Sequence, residues 1–245
     1  MQSTWVIGDI HGACRALKQV MERAPVKPGD TLLFVGDYVD GWSEAVETVD
    51  YCIELQQTYN CIFLKGNHDV WMYEYLNEKF AYEVWLENGG AISKVSYDNA
   101  TEEVWQRHRQ FFNSLLLYYI DAEERLYVHA GFTSKKGVEG NSEDVLTNDR
   151  SLWELAVKKQ SSSRDSLFYP AILKLYHEVY IGHSPTIRYA SREPMICSGV
   201  INTDTGAAFD NKLSIINADT KEFWQSDVVL DLYPGETGRL KKNEL

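Results

Sequence analysis

The sequence predicts an α/β fold in which a parallel sheet, built by β-α-β-α-β alternation, packs against a second and more β-rich half. Three observations carry this reading. Short apolar runs alternate with stretches of helical periodicity from Thr4 to Lys65, each of those runs ends in a polar cluster containing glycine, and from Glu178 onward short β-like runs follow one another closely.

Thr4–Ile7, Thr31–Val35 and Asn60–Leu64 are apolar runs with β-branched or aromatic residues, the pattern of buried strands feeding tight turns. Between them Ala13, Leu17, Val20, Met21 and Ala24 recur at helical spacing, and Ala45, Val46, Val49, Cys52 and Ile53 do so after Ser43, which is read as an N-cap. Parallel strands joined this way have right-handed crossovers and bind ligands beyond their carboxyl ends. Val70–Asn88 and Thr101–Ser114 read as helices, and Leu115–Ile120 and Arg125–Val128 as strands around the turn Asp121–Glu124. Thr133–Asn148 is polar and lacks periodicity, so it reads as a surface loop, and Ser161–Ser163 marks another. The late runs Val179–Ile181, Met195–Cys197, Val200–Asn202, Leu213–Ile216 and Glu222–Trp224 are expected to form the second sheet.

With 245 residues, 44% of them hydrophobic, the chain can bury one substantial core, and residues 1–245 are expected to form a single domain. The formal net charge of −12 repels nucleic acid and anionic membrane surfaces, so neither is an expected partner. A polyanion would need a local cation here, and a bound metal could provide one. Cys14, Cys52, Cys61 and Cys197 lie in or beside apolar segments without Cys-x-x-Cys spacing and read as reduced core thiols. Neither a signal-peptide pattern nor a bilayer-length apolar run occurs, so a cytoplasmic location is expected. The tail Lys242-Asn243-Glu244-Leu245 faintly resembles an endoplasmic-reticulum retrieval signal, which has no meaning on a cytoplasmic chain.

The strand-end clusters are Gly8-Asp9-Ile10-His11-Gly12, Gly36-Asp37-Tyr38-Val39-Asp40-Gly41, Gly66-Asn67-His68-Asp69, Val128-His129-Ala130-Gly131 and Gly182-His183-Ser184-Pro185. Four of the six histidines fall inside them, beside carboxylates and an amide, which are the ligand types borderline divalent ions accept. Asp9 and His11 alternate across Ile10, so both can point into one cleft and hold one ion. Asp37 has two carboxylate oxygens and can bridge to a second ion, for which Asn67, His129 and His183 supply the remaining ligands. Such a pair would hold a bridging hydroxide as nucleophile and polarise a phosphoryl oxygen. His68 starts on a different bearing from its neighbour Asn67 and suits a general acid, with Asp40 placed to orient it. Any one cluster alone reads as turn chemistry, and His129 or His183 alone as a satisfied core histidine. Five in this order require every such reading to hold at once.

The series Gly-Asp-Ile-His-Gly, Gly-Asp-Tyr-Val-Asp, Gly-Asn-His-Asp, His-Ala-Gly and Gly-His-Ser-Pro resembles the calcineurin-like metallophosphoesterases, and within them the bacterial serine/threonine phosphoprotein phosphatase-like branch. The resemblance runs from Val6 to about Ile216 and includes Asn202-Thr203-Asp204-Thr205-Gly206-Ala207. It implies a four-layer α-β-β-α sandwich and a dinuclear centre holding two divalent ions, Mn first and Fe or Zn as alternatives. Position by position, Asp9, His11 and Asp37 would bind one ion, Asp37, Asn67, His129 and His183 the other, and His68 with Asp40 would form the acid dyad. Phosphodiesterase-type relatives carry a second histidine where this chain has Pro185, so the phosphatase branch is favoured.

The chain departs from that branch at its phosphate grip. Relatives follow Gly-Asp-x-Val-Asp with Arg-Gly, whereas here Gly41-Trp42 follows Asp40; a second arginine expected soon after a Leu-Trp pair is absent after Leu152-Trp153, where Glu154-Leu155 stand. Lys65, Arg150 and Arg188 lie near motifs and are candidates to compensate, the alternative for each being a surface charge. Trp42 could wall a substrate or simply pack. The expected function is a metal-dependent phosphomonoester hydrolase acting on a phosphoprotein or small phosphate ester. The alternatives are hydrolysis of dinucleoside polyphosphates or other nucleotides, and a metal-binding regulatory scaffold.

Overall fold

A computed structural model describes residues 2–240; Met1 and the tail tetrapeptide 242–245 lie outside the described residues. The alternation in the first quarter of the chain produces β1 (Thr4–Ile7), α1 (Cys14–Arg23), β2 (Thr31–Phe34), α2 (Ala45–Leu55) and β3 (Asn60–Phe63). The three strands pair in parallel, Ile7 opposite Phe34 and Phe34 opposite Phe63, which brings all three carboxyl ends to one edge. Asp30 closes the opposite end: its carboxylate accepts the backbone N–H groups of Ser3 and Lys27 and the Trp5 indole, each at 3.0 Å.

α3 (Asn67–Glu78) follows at once, opening on the third polar cluster. The helix expected to run from Val70 to Asn88 instead breaks at Lys79, which takes a left-handed φ of 59°. A single turn α4 (Glu83–Trp85) then passes through a π-helical turn at Leu86–Gly90 into α5 (Ala91–Asp98). The break turns Trp85 inward, and its indole N–H meets Asp40. α6 (Glu102–Ser114), capped by the Thr101 hydroxyl, matches the sequence reading.

The second sheet begins as the hairpin β4 (Tyr118–Ile120) and β5 (Arg125–Val128). The segment read as a loop over Thr133–Asn148 contains α7 (Glu143–Asn148), capped by Ser142 and too short to show periodicity. α8 (Ser151–Lys159) then packs on the outer face, and β6 (Glu178–Ile181), β7 (Met195–Cys197) and β8 (Val200–Asn202) complete a sheet ordered β4-β5-β6-β8-β7. The last two strands depart from expectation. β9 (Ser214–Asn217) and β10 (Phe223–Gln225) return to the first sheet, antiparallel beside β1, giving the order β10-β9-β1-β2-β3. The one-turn α9 (Val229–Leu232) ends the regular structure.

Three apolar layers hold this together. Val6, Leu33, Val35, Tyr127, Tyr180 and Ile201, drawn from the facing sides of both sheets, form the middle one. The outer two lie under α1, α2, α3 and α6 on the first sheet and under α8 on the second. The result is the four-layer α-β-β-α arrangement. Each large apolar side chain fully buried in these layers contributes about 1.5–3 kcal/mol against exposure. All four cysteines are free thiols, and no helix among the described residues is long and apolar enough to cross a membrane.

Candidate metal centre

β5, β6 and β8 are parallel to one another, so the second sheet also delivers three carboxyl ends to an edge. Six strands thus present His129, His183 and Asp204 from one sheet and the clusters at Asp9, Asp37 and Asn67 from the other. The two edges are stitched together. His183 N–H donates to Asp9 Oδ2 at 2.8 Å, and His129 Nδ1 donates to the Val35 carbonyl at 2.8 Å. Asp69 ties the second and third clusters by accepting the N–H groups of Asp37, Tyr38 and Gly66 at 2.7, 3.0 and 2.8 Å.

The glycines of the clusters serve close approach as well as turning. A Cβ on Gly182 would lie 2.0 Å from Asp9 Oδ1, and one on Gly66 would lie 2.1 Å from Asp37 Oδ1. The strain falls on the sequence-predicted site residues themselves. His11, Asp37, Asp40 and His183 all hold left-handed φ values, from 54° to 72°. Each such residue costs about 1 kcal/mol or more, a cost maintained only where the surrounding contacts fix the backbone.

All eight sequence-predicted residues are buried. Ligand atoms of His11, Asp37 and His68 lie within 4.8 Å of one another, and so do those of Asp37, His129 and His183. Asp37 is common to both groups: its Oδ2 lies 3.6 Å from His11 Nε2 and 3.4 Å from His129 Nε2. Asn67 Oδ1 faces His183 Nδ1 at 2.9 Å and His129 Nε2 at 3.3 Å. Asp9 falls outside the tight groups but lines the same small pocket, with His68, Asp204, Arg150, Arg188 and Arg239 also around it.

Two observations fit this site to divalent cations. Asp9 Oδ1 is buried with no hydrogen-bond partner. Each of three imidazoles has one nitrogen anchored on a backbone carbonyl, His11 on Asp40 at 2.8 Å, His129 on Val35 at 2.8 Å and His183 on Asn148 at 3.0 Å. The opposite nitrogens then aim at carboxylate and amide oxygens, the outer-sphere arrangement that orients metal-ligating histidines. Burial holds His11 well below its ordinary value, and burial with the nearby charges of His129 and Arg150 does the same for His183, so both are neutral, the form that ligates. Burial alone would raise Asp37, but the imidazoles of His129 and His68 outweigh it and hold the carboxyl well below the usual range. Burial likewise opposes charge on His129, yet Asp37 pushes it up to about 10; a cation at this position would displace that proton. Burial and neighbouring Asp204 push Asp9 well up, the reverse of what two bound cations would do.

His68 stands apart from the anchored three. Its Nδ1 lies 2.7 Å from Asp40 Oδ2, which also accepts the Trp85 indole N–H at 2.7 Å, while Ser93 Oγ accepts the Asp40 backbone N–H at 2.8 Å. Its ring packs edge-on against His11 and Trp71.

The profile of the calcineurin-like phosphoesterases matches residues 3–202, which include all five clusters. The chain belongs to that family. This phosphoesterase is 22% identical to the asymmetrical bis(5'-nucleosyl)-tetraphosphatase PrpE of Oceanobacillus iheyensis, over 89% of each chain. It is also 28% identical to a catalytic subunit of protein phosphatase 2A from Dictyostelium discoideum, over 52% of this chain and 38% of that one. A crystal structure of a metallophosphoesterase from Sphaerobacter thermophilus superimposes with a TM-score of 0.58 at 16% identity, covering 95% of this chain and 90% of the other, which shows the shared fold. As a family member the protein is a hydrolase of phosphate esters that uses divalent metals.

Several residues read from sequence take other roles. Lys65 does not line the metal pocket, and its ammonium lies 3.5 Å from Glu143. Trp42 is packing rather than a substrate wall: it is fully buried, stacks on Tyr233 and donates to the Ala207 carbonyl at 2.8 Å. Ser43 does not cap α2, which starts after Glu44 with no side-chain cap; its N–H and hydroxyl instead donate to Glu236 at 3.0 and 2.6 Å. Arg150 and Arg188 do reach the pocket. Sequence reasoning assigned no role to Asp204, whose Asp-Thr-Gly-Ala context was a usable signal, and it missed Arg239, which no motif announces.

Proposed function

We propose that this phosphoesterase cleaves phosphomonoesters, with two divalent ions held by Asp9, His11, Asp37, Asn67, His129 and His183. Ions held there supply Lewis-acid chemistry, acidifying water and polarising a phosphoryl oxygen. His68, turned by Asp40, protonates the departing oxygen from Nε2, and Asp40 stabilises the charge on the ring. The observation that carries the ester reading is this buried dyad. An alkoxide is a strongly basic leaving group and needs a proton as the P–O bond breaks, whereas a nucleotide phosphate leaves readily without one.

A second reading, hydrolysis of dinucleoside polyphosphates, draws on a different feature. A cavity of about 710 Å³ shares Arg188, Phe209 and Arg239 with the metal pocket, and it lies within the size range of small-molecule sites. It offers room for a substrate that extends beyond one phosphate. The similarity to a tetraphosphatase over 89% of each chain also supports this reading.

One comparison separates the two. Manganese-loaded protein is given an alkyl phosphate, a phosphoserine peptide and a dinucleoside tetraphosphate at equal concentration. Highest kcat/KM on the first two supports the ester reading, and a dominant tetraphosphate rate supports the alternative. No turnover of any of them, with metal bound, overturns both and leaves the regulatory scaffold.

A further inference from the structure

The metal pocket is ringed by three arginines, Arg150, Arg188 and Arg239, and among the described residues none has a carboxylate within 4 Å of its guanidinium. Arg150 Nε is buried and has no hydrogen-bond partner, and Arg150 Nη2 reaches only the His183 carbonyl at 3.5 Å. Three guanidiniums without a carboxylate partner converge on one pocket, repel each other and leave most of their donors unused. An anion bound among them would relieve both costs.

Arg239 arrives from the far end of the chain along a strap whose every turn is fixed. Tyr233 stacks on Trp42 with ring centroids 5.2 Å apart, and its hydroxyl donates to Glu44 at 2.5 Å. Glu236 accepts both donors of Ser43. Gly238, at φ +56°, crosses the Trp42 ring so closely that a Cβ there would lie 2.6 Å from Cζ2. The Arg239 N–H then donates to the Ala208 carbonyl at 2.8 Å, and Nη2 reaches Asn88 Oδ1 at 3.4 Å.

The stem of Arg239 passes directly over two glycines. Its Cγ would be 3.7 Å from a Cβ on Gly41 and 3.2 Å from one on Gly89. Gly41 is the position at which the resembling phosphatases carry an arginine. The missing side chain at 41 and the seats that Trp42 and Ser43 offer the strap are therefore one arrangement: the segment that vacates the position also builds the seat for its replacement.

From this geometry we infer that Arg239, delivered by the 233–239 strap across Gly41, binds the phosphoryl group of the substrate together with Arg150 and Arg188. The inference rests on the proposed phosphoester hydrolysis at the same pocket. Arg239 grips phosphoryl oxygens bidentately, and the strap residues Glu236 and Tyr233 act through it as positioning residues.

The test is calorimetric titration of inorganic phosphate into manganese-loaded wild type, Arg239→Gln and Arg239→Lys, alongside manganese affinity for each. Loss of a charged hydrogen-bonding partner should raise the phosphate Kd at least about tenfold in Arg239→Gln and less in Arg239→Lys, with manganese affinity unchanged. Millimolar guanidinium should restore phosphate binding to Arg239→Ala, a rescue that a merely structural arginine would not give. Should the truncated variants fail to fold, Arg239→Lys alone decides: a phosphate Kd and KM within twofold of wild type overturn the inference, because a point charge cannot reproduce the fork. So do an unchanged Kd in Arg239→Gln and a parallel loss of manganese. Wild type that binds phosphate but turns over no ester would sink the proposed function and leave the Arg239 assignment standing.

Discussion

Replacing His68 by Asn tests the acid dyad most directly, and the size of the effect follows from its geometry. The 2.7 Å contact to Asp40 joins two fully buried groups, so the imidazole has one orientation and one nitrogen left for the substrate. A positioned general acid contributes about 10²–10⁴ in rate, or roughly 2.7–5.4 kcal/mol of transition-state stabilisation. His68→Asn should therefore lower kcat on an alkyl phosphate by about 10²–10⁴, and on p-nitrophenyl phosphate by far less, because that leaving group needs little help. Asp40→Asn removes the orienting charge-assisted hydrogen bond, worth about 1.5–3 kcal/mol, and should cost about ten- to a hundredfold on the alkyl ester. The double variant should be no worse than His68→Asn alone, since both residues act as one unit. The assay is a leaving-group series with metal content measured for every variant. A loss of equal size across the series would refute the acid role. So would a fall in bound metal in His68→Asn, because the His11–Asp37–His68 group also has ligand spacing, and that result would make His68 a ligand instead.

Three further outcomes are expected. Chelating the metals should destabilise the protein, because ions at 100 times their Kd contribute about 2.7 kcal/mol per site and about 5.4 kcal/mol for two; differential scanning calorimetry should show a Tm lower by roughly 10–20 °C, and an unchanged Tm would contradict a preformed two-ion site. Gly182→Ala, whose Cβ would sit 2.0 Å from Asp9 Oδ1 and 2.9 Å from Val35, should cost about 1–3 kcal/mol in urea denaturation and weaken metal binding; a neutral result would mean that the edge between the sheets is more yielding than its contacts imply. Asp30 supplies a pH test remote from the metals. Burial alone would raise its carboxyl, but the donors from Ser3, Lys27 and Trp5 hold it below its ordinary value of 3.8. A carboxyl lowered on folding adds stability that is complete above 3.8 and fades as pH falls through the lower folded value. Asp30→Asn should thus be less stable by about 1–3 kcal/mol at neutral pH, with the gap narrowing in acid, and parallel stability curves would exclude the linkage.

Where a signal is local, the sequence carried it. β1 to β3 and their parallel order follow from apolar runs and helical periods a few residues long, and the donor types at Asp9, His11, Asp37, Asn67, His129 and His183 are visible beside their strand ends. Features that depend on a partner distant in the chain were hidden. Ser43 looked like a helix cap because its local context fits one, yet it bonds Glu236, 193 residues away. Whether Trp42 walls a substrate or packs could not be read locally, because the answer lies in Tyr233, which stacks on it. α7 is too short for periodicity to show, and β9 and β10 carry nothing in their own residues to say which sheet they join.

Residue types and their spacing were enough to propose the chemistry: which side chains could hold two cations and which could move a proton, because the donor atoms belong to each residue type. The electrostatics and the reach of the site came from folding alone. Folding bent four of the candidate site residues into left-handed backbone, left one nitrogen of His11, His129 and His183 facing the pocket by anchoring the other on a carbonyl, and brought Arg239 to the place left open at Gly41. Those outcomes depend on which surfaces close against each other and which charges are buried together, and a stretch of sequence read locally contains no term for either.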